Sequence, residues 1–255
     1  MKRRILFLAG AAVAMSAAVA MAAPMVTAKM KAAVADSSRP AADTARDENR
    51  KPAEMLAFAG ITPGKVVVDM LPGAGYFTRI FAKAVEPGGR VYAYFGIQYD
   101  ARLKSQNKDP DNQFADLKQT YKNLGVIHGP LPQFVTPEPV DIVWTSDNYH
   151  DMHNKAYAMD VNEVNKAVFK SLKPGGYYVI VDHKAADSTG DDVTETLHRI
   201  KEATVKKEVE AAGFKLVAES HAMENSADDG TKRVFENDVR GKTSQFMLKF
   251  QKPRH

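Results

Sequence analysis

Val66-Val67-Val68-Asp69-Met70-Leu71-Pro72-Gly73-Ala74-Gly75-Tyr76-Phe77-Thr78 reads as a strand, a tight turn and the first turn of a helix. Three consecutive β-branched residues suit a strand buried on both faces, as in a parallel sheet covered by helices. An aspartate closes the apolar run, and a Gly-x-Gly turn follows it. In a doubly wound sheet this is where a ligand meets the carboxyl ends of the strands. Glycines at 73 and 75 let backbone approach a ligand without a Cβ in the way. The helix start behind them favours an anionic group.

The same alternation extends outward. On the N-terminal side, Pro52 opens a helix that carries Met55, Leu56 and Phe58 and closes at Gly60. On the C-terminal side, the pattern predicts helix at 76–85, strand at 91–95, helix at 111–123, a weak strand at 124–128 and strand at 141–145. Helix at 156–172, strand at 177–181 and a long amphipathic helix at 191–212 follow. Two last strands, 214–218 and 246–250, are joined by a polar loop instead of a helix, which predicts an antiparallel ending. That loop, 221–245, is expected to help cover a pocket on the same edge of the sheet.

Several stretches besides the Asp69–Gly75 turn resemble class I S-adenosylmethionine-dependent methyltransferases. They include Arg50-Lys51-Pro52-Ala53-Glu54, Asn148-Tyr149-His150-Asp151 and Leu172-Lys173-Pro174-Gly175-Gly176. Val181-Asp182-His183, Glu195-Thr196-Leu197-His198-Arg199-Ile200 and Glu210-Ala211-Ala212-Gly213-Phe214 complete the set. The resemblance is strongest to a group of bacterial methyltransferases with export signals. It implies a Rossmann-like α/β fold: a doubly wound, seven-stranded, mostly parallel sheet whose last strand is antiparallel. It also implies S-adenosylmethionine as cofactor, held by Asp69, Leu71, Gly73, Gly75, Tyr76 and Asn148. Two positions depart from the pattern: Leu71 stands where a glycine is usual, and Phe95 where an acidic residue holds the ribose hydroxyls.

A second constellation is centred on histidine. His150 and Asp151 follow the fourth expected strand, and Asp182 and His183 follow the fifth. His150, Asp151 and His183 are the candidates for acid–base catalysis, because imidazole titrates near neutrality. Tyr149, Asp182 and His198 are candidates to bind the acceptor. Hydrogen-bonded loop residues without chemistry, or an N/O metal site built from His150, Asp151, His153 and His183, are the competing readings; acid–base chemistry without a metal is the one adopted. The function expected is methyl transfer to a small acceptor, and the alternative is a non-catalytic periplasmic binding or stress-related protein on the same scaffold.

Composition limits the partners. The 255 residues contain no cysteine, which excludes disulfides, thiolate metal sites and thiol nucleophiles. Lys2, Arg3 and Arg4 precede an apolar run from Ile5 to Ala22 that ends in Ala20-Met21-Ala22, the pattern of a cleavable export signal. Residues 1–22 are therefore expected to be a signal peptide, 23–46 a flexible tether and 47–252 the methyltransferase-like domain. Adjacent arginines leave ordinary and twin-arginine export both open. The formal charge of +4 belongs mostly to the signal: without it, 32 basic residues face 31 acidic ones. Nucleic-acid binding is not expected, since the basic residues form no patch interleaved with aromatics. The expected location is periplasmic, with inner-membrane anchoring as the alternative and membrane contact only through residues 1–22.

Overall fold

The computed structural model describes residues 25–106, 109–190 and 193–254, so the expected signal peptide lies outside the described residues. Seven strands form one sheet: β1 (Val66–Met70), β2 (Arg90–Gly96), β3 (Leu124–Gly129), β4 (Val140–Ser146), β5 (Leu172–His183), β6 (Lys215–Ser220) and β7 (Gln245–Gln251). Their order is β3-β2-β1-β4-β5-β7-β6. The first five strands are parallel, and β7 runs antiparallel between β5 and β6. The expected seven-stranded doubly wound sheet with an antiparallel ending is thus the observed architecture.

Helices on both faces explain the apolar strands. Helices α1 (Ala28–Val34), α4 (Pro52–Ala59), α5 (Tyr76–Ala84) and α7 (Pro110–Thr120) cover the face that presents Val67, Ile142, Trp144, Val179 and Val181. Helices α8 (Val161–Ser171) and α10 (Glu202–Ala211) cover the other, which presents Val68, Val143, Tyr178 and Ile180. The period of two along each strand sends alternate residues to opposite cores. Strand β5 begins at Leu172, earlier than the apolar run suggested, because the Lys173–Gly176 turn is part of it. A Cβ at Gly176 would stand 2.9 Å from the Lys173 carbonyl and 3.0 Å from that of Asp141, so only glycine fits there.

Three expectations need correction. The stretch 25–46 is not a loose tether. Thr27 caps α1 by accepting from the Met30 N–H, and Met30 and Ala33 are buried against α4 and α5. Helices α2 (Ala41–Thr44) and α3 (Asp47–Arg50) follow. Arg39, whose side chain is wholly buried, donates two hydrogen bonds to Asp47, and Asp43 pairs with Arg79 at 3.0 Å. The apolar contacts are too few to show a period, so the composition alone looks like a linker. If this segment is part of the fold, Met30→Ala lowers the unfolding free energy by about 2 kcal/mol and the melting temperature by roughly 4–8 °C. A melting temperature unmoved by that change would restore the tether.

The helix expected at 191–212 is broken. Within the described part, α9 (Val193–Thr196) ends before Leu197, His198 adopts φ +53°, and α10 starts only at Glu202. Between them Ile200 joins the edge of the site: its N–H donates to the His183 carbonyl at 3.0 Å and its carbonyl accepts from Ala185 at 3.0 Å. Leu197, Ile200, Val205 and Val209 imitate one continuous helical stripe, but buried Arg199 draws the chain inward. Helix α8 likewise starts at Val161, not 156, because Asp160 caps it through the Asn162 N–H. Helix α6 (Ile97–Ser105) was not anticipated. Among the described residues no helix is long and apolar enough to cross a membrane.

Candidate functional site

The β1 end sits at the middle of the carboxyl edge. Asp69 is buried and accepts a hydrogen bond from Thr78 Oγ1 at 2.6 Å. Burial outweighs that bond and the nearby Arg50, pushing its carboxyl up to about 7. Leu71 takes the left-handed conformation, φ +60°, that a glycine would adopt without strain. Its N–H donates to the Tyr94 carbonyl at 2.9 Å and its carbonyl accepts from Asn148 Nδ2 at 3.0 Å, tying the loop to β2 and to the end of β4. Gly75 is left-handed too, and a Cβ there would lie 3.0 Å from Leu117 and 3.1 Å from Phe114. Above Gly73 the space is open. Gly75 offers α5 no capping side chain, and the Thr78 amide of its first turn is engaged by Asp69.

Phe95 is core, edge-on to Phe114 at 5.0 Å and stacked on His128 at 5.3 Å. Gln98 follows the β2 end, in the first turn of α6. Its Oε1 is buried and has no partner among the described residues. Tyr76 turns its hydroxyl to Asp47 at 2.6 Å, beneath the guanidiniums of Arg46 and Arg50. Its side chain therefore anchors the N-terminal segment, and only its amide is left for a ligand. Arg50 also crosses to Asp147 at 2.9 Å, closing one side of a cavity of about 70 Å³ bounded by Phe77, His183, Thr243 and Gln245.

The β4 and β5 ends bring the histidines together. The ring of His150 lies 5.7 Å from that of His183 and 5.6 Å from that of His198. Asp182 is fully buried; its two oxygens accept from the His150 backbone N–H at 2.8 Å and from His150 Nδ1 at 2.7 Å. Burial alone would lower the His150 pKa, but Asp182, with Asp151 and Asp147, raises it to about 9. His150 thus holds its proton at neutral pH, and Asp182 is kept ionised below the usual carboxylate range despite burial. His183 and His198 move the other way, lowered by burial against the pull of Asp147 and Asp151. His183 Nδ1 lies 2.7 Å from Thr243 Oγ1.

Four assignments change. Tyr149 does not face an acceptor: it is buried under α8 and α10, donating to Glu208 at 3.0 Å and accepting from Asn165 at 2.8 Å. Asp182 orients His150 and has no exposed surface to bind an acceptor. His153 pairs with Glu208 at 3.1 Å and stands outside the histidine cluster, so the metal set that included it is not assembled. Asn148 binds the loop and Ser146 instead of projecting outward.

The 221–245 loop folds over the cluster as expected. Phe235 packs on His198 at 4.9 Å, and Arg233 stacks on Phe235 at 5.2 Å. Arg199 secures the loop through the Lys232 carbonyl at 2.6 Å and Asp228 at 2.9 Å. Gln98, Tyr99 and Phe235 carried no sequence signal; Thr78 and Arg199 stand inside the quoted stretches but without an assigned role.

No protein-family profile matches the chain. Over 127 residues it is 26% identical to the ubiquinone/menaquinone biosynthesis C-methyltransferase UbiE of Hydrogenovibrio crunogenus, a match covering 50% of this chain and 45% of that protein. The chain thus spans less than half the length of that relative. Its fold is that of a methyltransferase from Aquifex aeolicus that is dependent on S-adenosylmethionine: TM-score 0.54, 19% identity, 81% of this chain and 98% of that one. The 1,6-didemethyltoxoflavin-N1-methyltransferase of Burkholderia thailandensis, solved with 1,6-didemethyltoxoflavin and S-adenosylhomocysteine, gives TM-score 0.53 at 18% identity. That match covers 84% of this chain and 79% of the other. The class defined is the methyltransferase-type Rossmann-like α/β fold.

Proposed function

We propose that the protein is an S-adenosylmethionine-dependent methyltransferase acting on a small acceptor. The observation that carries this reading is the β1–α5 loop: left-handed Leu71, open Gly73, sterically closed Gly75 and the start of α5, all aimed at one point on the carboxyl edge. The cofactor, when bound, supplies an electrophilic methyl on a sulfonium. Gly73 and the first α5 amides would hold its carboxylate end, and Gln98 Oε1 would accept from the ribose in place of the missing acid. The buried, unpartnered Gln98 carbonyl fits that task, because such an atom is costly until something donates to it.

The chain's own residues then orient the acceptor and manage its proton. His183 and His198 are neutral near pH 7 and can accept one. His150, charged between Asp182 and Asp151, corrects the expectation of a base at that position: it donates. Alignment of the two reactants supplies most of the acceleration in such a displacement. The export signal expected at residues 1–22 supports a periplasmic enzyme, tested by N-terminal sequencing of the protein recovered from cells.

Calorimetric titration with S-adenosylmethionine and S-adenosylhomocysteine tests the cofactor. Binding of either is the expected result, and Gln98→Leu weakens it about tenfold, the worth of one net hydrogen bond, while the melting temperature of the free protein does not fall, because a buried unpartnered acceptor is removed. Absence of heat with both nucleosides at millimolar concentration overturns the reading.

A further inference from the structure

His150, Asp151 and His198, two of which the proposed function uses to manage the acceptor's proton, also form a feature that proton transfer alone does not require. The three come from separate elements: the first two from the 3-10 turn that follows β4, the third from the break between α9 and α10. One donor atom from each lies within 4.8 Å of the others. His150 Nε2 stands 3.4 Å from Asp151 Oδ1, and His198 Nδ1 stands 3.4 Å from the same oxygen. Those separations are long for a charge-assisted hydrogen bond, which settles at about 2.7–2.9 Å. They match another geometry. Two ligand atoms held about 2.0–2.1 Å from a tetrahedral ion are roughly 3.3–3.4 Å apart.

The surroundings supply what a metal-binding triad needs. Asp182 holds His150 Nδ1 at 2.7 Å, so the ring presents Nε2 to the cluster, the carboxylate–histidine arrangement that orients metal-ligating imidazoles; the Nε2 proton that His150 carries at neutral pH is released to solvent when an ion binds. The left-handed backbone of His198 turns its ring to the same point. Asp151 and His198 keep 20% and 21% of their side-chain surface exposed, leaving an entry path and an open coordination position. The neighbouring group of Asp147, Asp182 and His183 is different. Arg50 and Gln245 occupy the two oxygens of Asp147, and His150 occupies the two of Asp182, so its carboxylates are already used.

We propose that His150, Asp151 and His198 bind one divalent transition-metal ion, zinc being the best match to two imidazoles and one carboxylate, with the fourth position left to water or an oxygen of a small ligand. Alkaline-earth ions prefer six or more oxygens and are poorly served by this set. The ion would occupy His150 and His198, to which the proposed function gives the acceptor's proton, but no cofactor atom takes part, so its binding is read without the cofactor.

The test uses the full mature protein without a purification tag, stripped with chelator and titrated with zinc chloride against a chromogenic chelator, in the absence of any nucleoside. One zinc per chain is expected, with no measurable magnesium binding. Asp151→Asn and His198→Ala each weaken zinc at least a hundredfold while circular dichroism stays unchanged. Asp182→Asn, which alters only the support of His150, weakens it ten- to a hundredfold. His153→Ala, at an imidazole held by Glu208 outside the cluster, leaves it unchanged. Absence of zinc binding overturns the proposal. So does zinc affinity that survives Asp151→Asn and His198→Ala, or that is lost with His153→Ala. If zinc binds and both nucleosides fail to, the metal site stands and the methyltransferase reading falls.

Discussion

Arg199→Met is expected to lower the unfolding free energy by about 3–5 kcal/mol and the melting temperature by roughly 10 °C. Both Arg199 and Asp228 have no exposed side-chain surface. The guanidinium donates to the Lys184 carbonyl at 2.9 Å, to that of Lys232 at 2.6 Å and to Asp228 at 2.9 Å. Asp228 also accepts from the Ser244 N–H at 2.7 Å and the Gly230 N–H at 3.2 Å. Methionine fills the space but strands a buried carboxylate and two carbonyls, and an uncompensated buried charge is the expensive part of breaking such a pair. Lysine keeps the charge without the planar fork, so Arg199→Lys is expected to lose about half as much. Because the same contacts hold residues 228–244 and fix the turn at His198, limited proteolysis within 221–244 should accelerate as well. Calorimetry and a timed digest read both effects. A melting temperature within about 2 °C of the wild type would show that this buried pair does not hold the loop.

That network marks where the sequence stopped being legible. The sheet was readable because its signals are local. Val66-Val67-Val68, Val91 to Phe95 and Tyr177 to Val181 are apolar on both faces, and glycine or proline separates them from helices with their own period. The antiparallel ending followed from the missing helix between 218 and 246. The Asp69–Gly75 loop was equally legible, because a strand, an acid and two glycines in order leave few alternatives. Long-range polar contacts have no such signature. Arg199 looks like one charge on a helical face until Lys184, Asp228 and Lys232 are seen around it. Tyr149 was read by its place beside His150, although consecutive residues leaving a strand point in different directions. The packed segment 25–46 failed for the opposite reason. It holds the domain through Met30, Ala33 and one buried arginine, too little apolar surface to rise above a linker's composition.

Asp69→Asn is expected to stabilise the protein at pH 8 and not at pH 5. Burial raises the Asp69 pKa from its ordinary value to about 7, so the folded state keeps a proton that the unfolded chain releases near pH 4. Between those values the folded state binds more protons, and stability falls as pH rises. A shift of that size corresponds to up to about 4 kcal/mol above pH 7, and relaxation of the site brings the expected difference to roughly 2–4 kcal/mol. Asparagine has no charge to desolvate and can still accept from Thr78 Oγ1. At pH 5 only about 1.4 kcal/mol of that penalty is present, and the cost of the extra amide donor, about 1 kcal/mol, nearly cancels it, so the variant should be about equal to the wild type there. Urea denaturation of both proteins at pH 5, 6, 7 and 8 isolates this carboxyl, because every other titrating group is common to the two and cancels in the difference. A difference that stays constant across the series, or that favours the wild type at pH 8, would show that Asp69 is ionised without penalty. A rising difference would mean that the chain carries a destabilising acid at the mouth of its ligand loop. Such a burden is what a site selected for binding, and not for stability, is expected to retain.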